Sequence, residues 1–246
     1  HFTDTVVPDT PILTKVSVNT TSDLAEITWS PAIATDTKGY YIYQFAGGAF
    51  TLIDSVFGIN TTFYNYALSN ASLLPESYGV AAFDSCRNTS PISTTFTTIN
   101  LVNKNDVCSG SNNLTWTAYN NFTGGVFSYD IYYQTNFGGY SFLASVDGST
   151  FDYKHSGLTN GTVYDYYVMA KENGTALFST SNHVSQLASV LKLPQFTYLR
   201  YASVTNDKQI DLAFFGDSIA TVNHYKVMRA SDINGPYTQI GTVDAD

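Results

Sequence analysis

Any catalysis by this chain would have to be built from four histidines, twenty carboxylates and two cysteines. His1, His155, His183 and His224 stand far apart, and none belongs to an HExxH or CxxC pattern that would hold a metal. They read as exposed strand or loop histidines. Glycoside hydrolysis needs two carboxyl groups facing across a cleft. Glu76, Asp84, Asp152, Asp165 and Glu172 are the candidates. A solidly packed sandwich interior would leave them on rims and outer faces as solvated acids. Asp244 and Asp246 could touch calcium, but two acids fall short of its roughly six to eight oxygen ligands. No G-x-S-x-G, P-loop or G-x-G-x-x-G string occurs. The pairs Gly47-Gly48, Gly124-Gly125 and Gly138-Gly139 read as hairpin turns. The expectation is no catalytic residue, no cofactor and no metal site.

The aromatic residues offer binding instead. Trp29 and Trp116 could stack on sugar, but each sits at the place of a core tryptophan between two sheets. Tyr41, Tyr43 and Tyr132 alternate with core residues of their strand, so they should face outward. Cross-strand packing accounts for most such tyrosines. They are also the candidate ligand platform, since exposed aromatics mark binding surfaces.

The elements that carry these residues recur. Ile27-Thr-Trp29, Leu114-Thr-Trp116 and Ile210-Asp-Leu212 each place two apolar residues on one strand face. Gly39-Tyr-Tyr-Ile-Tyr43, Ser128-Tyr-Asp-Ile-Tyr132 and His224-Tyr-Lys-Val-Met228 follow. A glycine turn and a further strand come next, ending at Val56, Val146 and Val243, spaced by 90 and 97 residues. Three segments in one order mean a repeat of about 90–100 residues, the size of a β-sandwich. In the first copy Val16 and Val18 mark strand A, Ile27 and Trp29 strand B, Tyr40 and Ile42 strand C, Tyr78 to Ala82 strand F, and Ile92 to Ile99 strand G. In the second, Leu158 to Tyr164 matches a tyrosine corner, whose hydroxyl bonds back to the preceding loop. The first copy has Glu76 there and should lack that corner. Ser185 to Leu193 reads as the last strand of copy two plus a linker, and no helix of consequence is expected. Composition agrees: 19 Tyr and 16 Phe with 13% charged residues favour strands and turns. A net charge of −9 with no basic run excludes nucleic acid, and no apolar stretch approaches the ~20 residues of a membrane span.

These strands resemble fibronectin type III repeats, and more narrowly those of large secreted Bacteroidetes proteins linked to gliding motility or type IX secretion. Thr3 to Pro11, Val80 to Pro91, Gly157 to Tyr164 and Phe196 to Arg200 carry the narrower likeness. It implies tandem fibronectin type III-like, immunoglobulin-like β-sandwiches, extracellular or cell-surface placement, and a scaffold or adhesin role without cofactor. Cysteines often found on strands F and G of such a second repeat are absent here. Residues 1–11 read as an N-terminal extension, 12–101 and 102–191 as two repeats, and 192–246 as the first part of a third. Half a sandwich cannot bury enough apolar area to offset its ordering entropy, so further chain or a partner should supply the missing strands. Surface protein or glycan is the other expected partner. Eight N-x-S/T sequons and the triplets at Asp4, Asp54 and Asp217 are explained as well by composition as by glycosylation.

Cys86 and Cys108 have no other partner, and two cysteines in a chain that looks secreted are expected to pair. They fall in different repeats, at the end of strand F of one and strand A of the next. A bond brings Cα atoms within ~7 Å, which requires the second repeat to fold back beside the first. Free thiols would imply a rod. The expectation is the bond and a compact pair. The functional reading is a non-catalytic stalk or scaffold segment. The alternatives are a carbohydrate- or protein-binding module, or accessory repeats of a polysaccharide-degrading enzyme.

Overall fold

The structure, a computed structural model, describes residues 5–206 and 208–245. The readings that rest on His1, Asp4 and Asp246 lie outside the described residues. Nineteen strands and no helix are found among them, and no helix is long and apolar enough to cross a membrane. The first sandwich comprises β1 (Leu13–Val18), β2 (Ala25–Trp29), β3 (Thr37–Ala46), β4 (Ala49–Phe57), β5 (Phe63–Tyr66), β6 (Ser77–Asp84) and β7 (Phe96–Thr97). Its sheets run β1-β2-β5 and β4-β3-β6-β7. The second comprises β8 (Leu101–Asp106), β9 (Ser111–Trp116), β10 (Val126–Thr135), β11 (Ser141–Asp147), β12 (Asp152–Ser156), β13 (Val163–Glu172), β14 (Phe178–Thr180) and β15 (Val184–Leu187). Here β8-β9-β12 faces β11-β10-β13, and both β14 and β15 pair with β13. Two hairpins follow, β16 (Thr197–Asn206) with β17 (Gln209–Gly216), and β18 (His224–Arg229) with β19 (Thr238–Asp244). The chain is thus all-β, a tandem of β-sandwiches.

Alternation builds each core. Val16, Val18, Ile27, Tyr40, Ile42, Tyr78, Val80 and Ala82 close the first core around Trp29, which is 3% exposed. Leu101, Leu114, Tyr129, Ile131, Tyr166, Val168 and Ala170 do the same around Trp116, at 6%. Both tryptophans are therefore core residues, each contributing on the order of 2–3 kcal/mol by burial. The β3–β4 turn needs Gly47-Gly48, because both have positive φ, +59° and +83°, as a two-residue hairpin requires.

Three expectations change. Strand G is not continuous from Ile92 to Ile99: only Phe96–Thr97 is strand, because serine hydroxyls replace part of the ladder. Val80 N–H donates to Ser93 Oγ and Ala82 N–H to Ser90 Oγ, while the serine N–H groups donate to the carbonyls of Val80 and Ala82. Ser181 treats Val168 identically in the second sandwich. Gly124-Gly125 is not a hairpin turn, since β9 and β10 belong to opposite sheets and this pair lies in the crossing loop. Strands β5 and β12, whose residues the alternation did not single out, complete the A–B sheets.

Candidate functional site

Four of the five candidate acids are not the solvated groups expected. Glu76, Asp84, Asp165 and Glu172 are buried, and only Asp152 is exposed. Each buried carboxylate is engaged by several donors. Glu76 accepts from Ser69 Oγ, Gln44 Nε2, the Tyr78 hydroxyl and the Asn70 N–H. The Asn70 contact does in the first repeat what Tyr164 does in the second, where its hydroxyl accepts the Thr159 N–H at 3.0 Å. The first repeat thus has a carboxylate corner where the second has the expected tyrosine corner. Asp165 accepts from Gln134, Tyr140 and Ser185. Glu172 accepts from Gly124 N–H and Thr175 Oγ1, which hold its carboxyl below the ordinary range. These acids bury because each is surrounded by enough donors to replace water.

Two histidines are likewise not the exposed residues expected. His155 packs against Tyr133, Tyr164 and Tyr166, and its Nδ1 lies 2.8 Å from the Tyr166 hydroxyl. His183 packs against Tyr140 and Tyr167 and lies 3.4 Å from Asp23 of the first repeat. His224 is exposed.

Cys86 and Cys108 are both free and exposed, so the expected disulfide is not formed. Each is fixed in a turn of its own repeat, its N–H donating to Asp84 or Asp106 respectively. Ser77 pairs with Thr97 near the link between repeats, and Cys86 follows the other end of β6, roughly 25 Å away at ~3.3 Å per residue. Cys108 follows β8, roughly 20 Å beyond Leu101 by the same rise. The thiols thus stand a strand's length from the junction, each at the far end of its own sandwich.

The junction itself is built from buried polar groups. The B–C loop places Ala32 three residues after Trp29 and Tyr119 three residues after Trp116. Both donate a backbone N–H to the strand C tyrosine, Ala32 to Tyr40 and Tyr119 to Tyr129, each at 2.8 Å. Tyr119 then does what Ala32 cannot. Its hydroxyl accepts from Val16 N–H at 3.1 Å and donates to Val16 C=O at 3.0 Å. Burial pushes the Tyr119 phenol up, so it stays protonated and can donate. Thr180 N–H donates to Ser17 Oγ at 2.8 Å, and Thr180 Oγ1 donates to Val18 C=O at 2.6 Å. Asn182 pairs with both backbone groups of Leu101 and donates to Ser72 C=O of the first repeat.

The three candidate platform tyrosines are half-buried and do not form one surface. Tyr132 stacks on Tyr167 in the second sandwich, ring centroids 4.9 Å apart. Tyr43 meets Phe50 edge-on. Tyr41 stacks on Phe83 at 4.4 Å, and Phe83 meets Phe57 edge-on at 5.6 Å. Phe83 lies across Gly39, its register partner, where a Cβ would come within 2.8 Å of the ring. Beside Tyr41 is an open cleft of about 460 Å³, lined by Phe57, Phe83, Lys38, Arg87, Asp84, Ser55 and Ser85. Sequence reasoning named Tyr41 and Asp84 and missed Phe57, Phe83 and Arg87, because these come together only where the ends of β4 and β6 meet beside β3.

No family model matches the chain, and no curated protein matches it. Among solved structures it is similar to the FN1–FN3 domains of chicken CNTN1, with 18% identity over 74% of this chain and 68% of that one and a TM-score of 0.32. A two-domain fibronectin type III segment of chicken tenascin is 17% identical over 73% of this chain and 97% of its own, with a TM-score of 0.28.

Proposed function

We propose that the chain is a non-catalytic extracellular scaffold segment, in which the first two repeats are locked into a rigid spacer of a larger secreted or cell-surface bacterial protein. The observation that carries this reading is the junction: Tyr119, Ser17 and Thr180 join the repeats through buried hydrogen bonds, and Asn182 adds a part-buried one to Ser72. A flexible tether would leave such groups to water, whereas buried donors and acceptors demand their partners. Gliding-motility or type IX secretion origin rests on sequence likeness alone. We divide the chain into an extension at 1–11, a first repeat from 12, a second whose first strand begins at Leu101, one residue ahead of the expected boundary, and a further segment from 192.

The partner we propose covers that last segment. Leu199, Leu212 and Ile240 are exposed there. In the complete sandwiches the equivalents of β17 and β18 are each paired on both edges: β2 and β9 by β5 and β12, and β3 and β10 by β6 and β13. Strands from further chain or a partner would complete β17 and β18 in the same way.

Spin labels on the native Cys86 and Cys108 thiols test the spacer. Pulsed dipolar spectroscopy should give one narrow distance distribution. A broad distribution would remove the rigid reading, and failure of either thiol to label without reductant would restore the bonded, folded-back pair. The second reading, a carbohydrate-binding module, is favoured by one observation, the aromatic cleft of the first repeat.

A further inference from the structure

We infer that the cleft beside Tyr41 binds an acidic saccharide, with a sugar ring over Tyr41 and Phe57 and its carboxylate held by Arg87 and Lys38. This specifies the binding-module reading and is independent of the rigid junction.

The floor is aromatic. Phe57 is 66% exposed, while Phe83, at 5%, serves as the support on which Tyr41 stacks. Flat rings with electron-rich faces suit the electropositive C–H groups of a pyranose face. The rim is cationic in a chain of net charge −9. Lys38 and Arg87 are exposed, and among the described residues neither forms an ion pair or lies over an aromatic ring. A guanidinium matches a carboxylate with two parallel hydrogen bonds.

The backbone of Arg87 supplies an independent observation. Its φ is +72°, in the left-handed region where a residue with a Cβ is strained. The turn holds it there, because Asp84 Oδ1 accepts the N–H groups of Cys86 and Asn88 on either side. A turn alone would be served better by glycine or asparagine, so the long cationic side chain has another use. Asp84 also lines the cleft. Desolvation raises its pKa, but hydrogen bonds from Asn88, Cys86 and Arg87 outweigh it and keep the carboxyl ionised. Its oxygens are engaged by these donors, and its fixed charge explains why an anionic ligand would need both cations.

The occupant is a saccharide and not an acidic peptide because the cleft lies over the sheet face, on side chains of β3, β4 and β6, and not along the free edge of β4. β3 is already paired on both sides, by β4 and by β6. An extended peptide binds chiefly through main-chain bonds to a free edge. Sugar hydroxyls need only scattered side-chain partners, which Ser55 and Ser85 provide.

The test is an amide chemical-shift titration of the full chain with trigalacturonate, galactotriose and hexaglutamate. Trigalacturonate should shift Tyr41, Phe57 and Arg87 saturably, with galactotriose about tenfold weaker, the loss expected for one charged hydrogen-bonded contact. Arg87→Gln should weaken trigalacturonate by a similar factor without changing the melting temperature. Phe57→Ala should do so as well, which covers the case in which Tyr41→Ala fails to fold. No shift at these residues, equal binding of galactotriose, binding unaffected by both variants, or hexaglutamate binding as tightly as the uronate would each overturn the proposal.

Discussion

Tyr119 of the second sandwich clamps Val16 of the first, its single hydroxyl meeting both the N–H and the C=O of that buried residue, which belong to successive peptide units. Val16 already lies in strand β1, whose other ladder partners are in β2. The clamp therefore ties the second repeat to the core sheet of the first, not to a peripheral loop.

Tyr119→Phe removes only the hydroxyl. It leaves the buried Val16 N–H without that partner, while Val16 C=O keeps the Ser179 hydroxyl, a penalty of about 1–3 kcal/mol on the junction. Both sandwiches should stay folded, while ¹⁵N relaxation should show the repeats tumbling less as one body. Unchanged tumbling would mean that Ser17, Thr180 and Asn182 suffice without the clamp.

Trp29→Ala and Trp116→Ala should each destabilise their own sandwich by about 3–5 kcal/mol, through lost burial and the cavity left behind. The remaining indole reports the intact sandwich, so the destabilised transition is the one seen by circular dichroism and not by tryptophan fluorescence. A variant with unaltered unfolding would contradict the core position of that residue.

The two corners should differ in strength. Glu76→Gln removes a charge that accepts four donors, so a loss of about 2–3 kcal/mol is expected in the first repeat. Tyr164→Phe removes one neutral contact in the second, worth about 1 kcal/mol. Urea midpoints of the two variants, read in the same buffer, give the comparison.

His155 sets a pH dependence. Asn112 Nδ2 donates to the Tyr166 oxygen, which leaves the Tyr166 hydroxyl proton for Nδ1 of His155. Nδ1 is then an acceptor and the ring is neutral. Burial lowers the folded-state pKa below the ordinary 6.5. Below about pH 6.5 the unfolded chain therefore takes up a proton that the folded chain refuses, so stability falls with acidification and is level above that pH. Thermal melts from pH 8 to pH 5 should show this decline, reduced in His155→Gln. An equal decline in the variant would assign it to other groups.

Much of the sandwich was legible in the sequence because its signals are local. A period of two in Ile27-Thr-Trp29 or Tyr40-Tyr-Ile42 states which face is buried, whatever the rest of the chain does. The tyrosine corner at Tyr164 was legible for the same reason, since Thr159 and Tyr164 are five residues apart in one turn. Strand G was less so: Ser90, Ser93 and Ser181 replace ladder bonds with hydroxyls, and a serine carries no periodic signal. The acids misled because burial of a carboxylate depends on how many donors surround it, and Gln44 and Gln134 reach Glu76 and Asp165 from a different strand. Tertiary structure alone decided the junction and the cysteines. Tyr119 and Val16 are 103 residues apart, and nothing near either one names the other. Pairing Cys86 with Cys108 was a matter of counting thiols, whereas their separation follows from which end of each sandwich meets the next. That is settled by the packing of Tyr119, Thr180 and Asn182 against the first repeat.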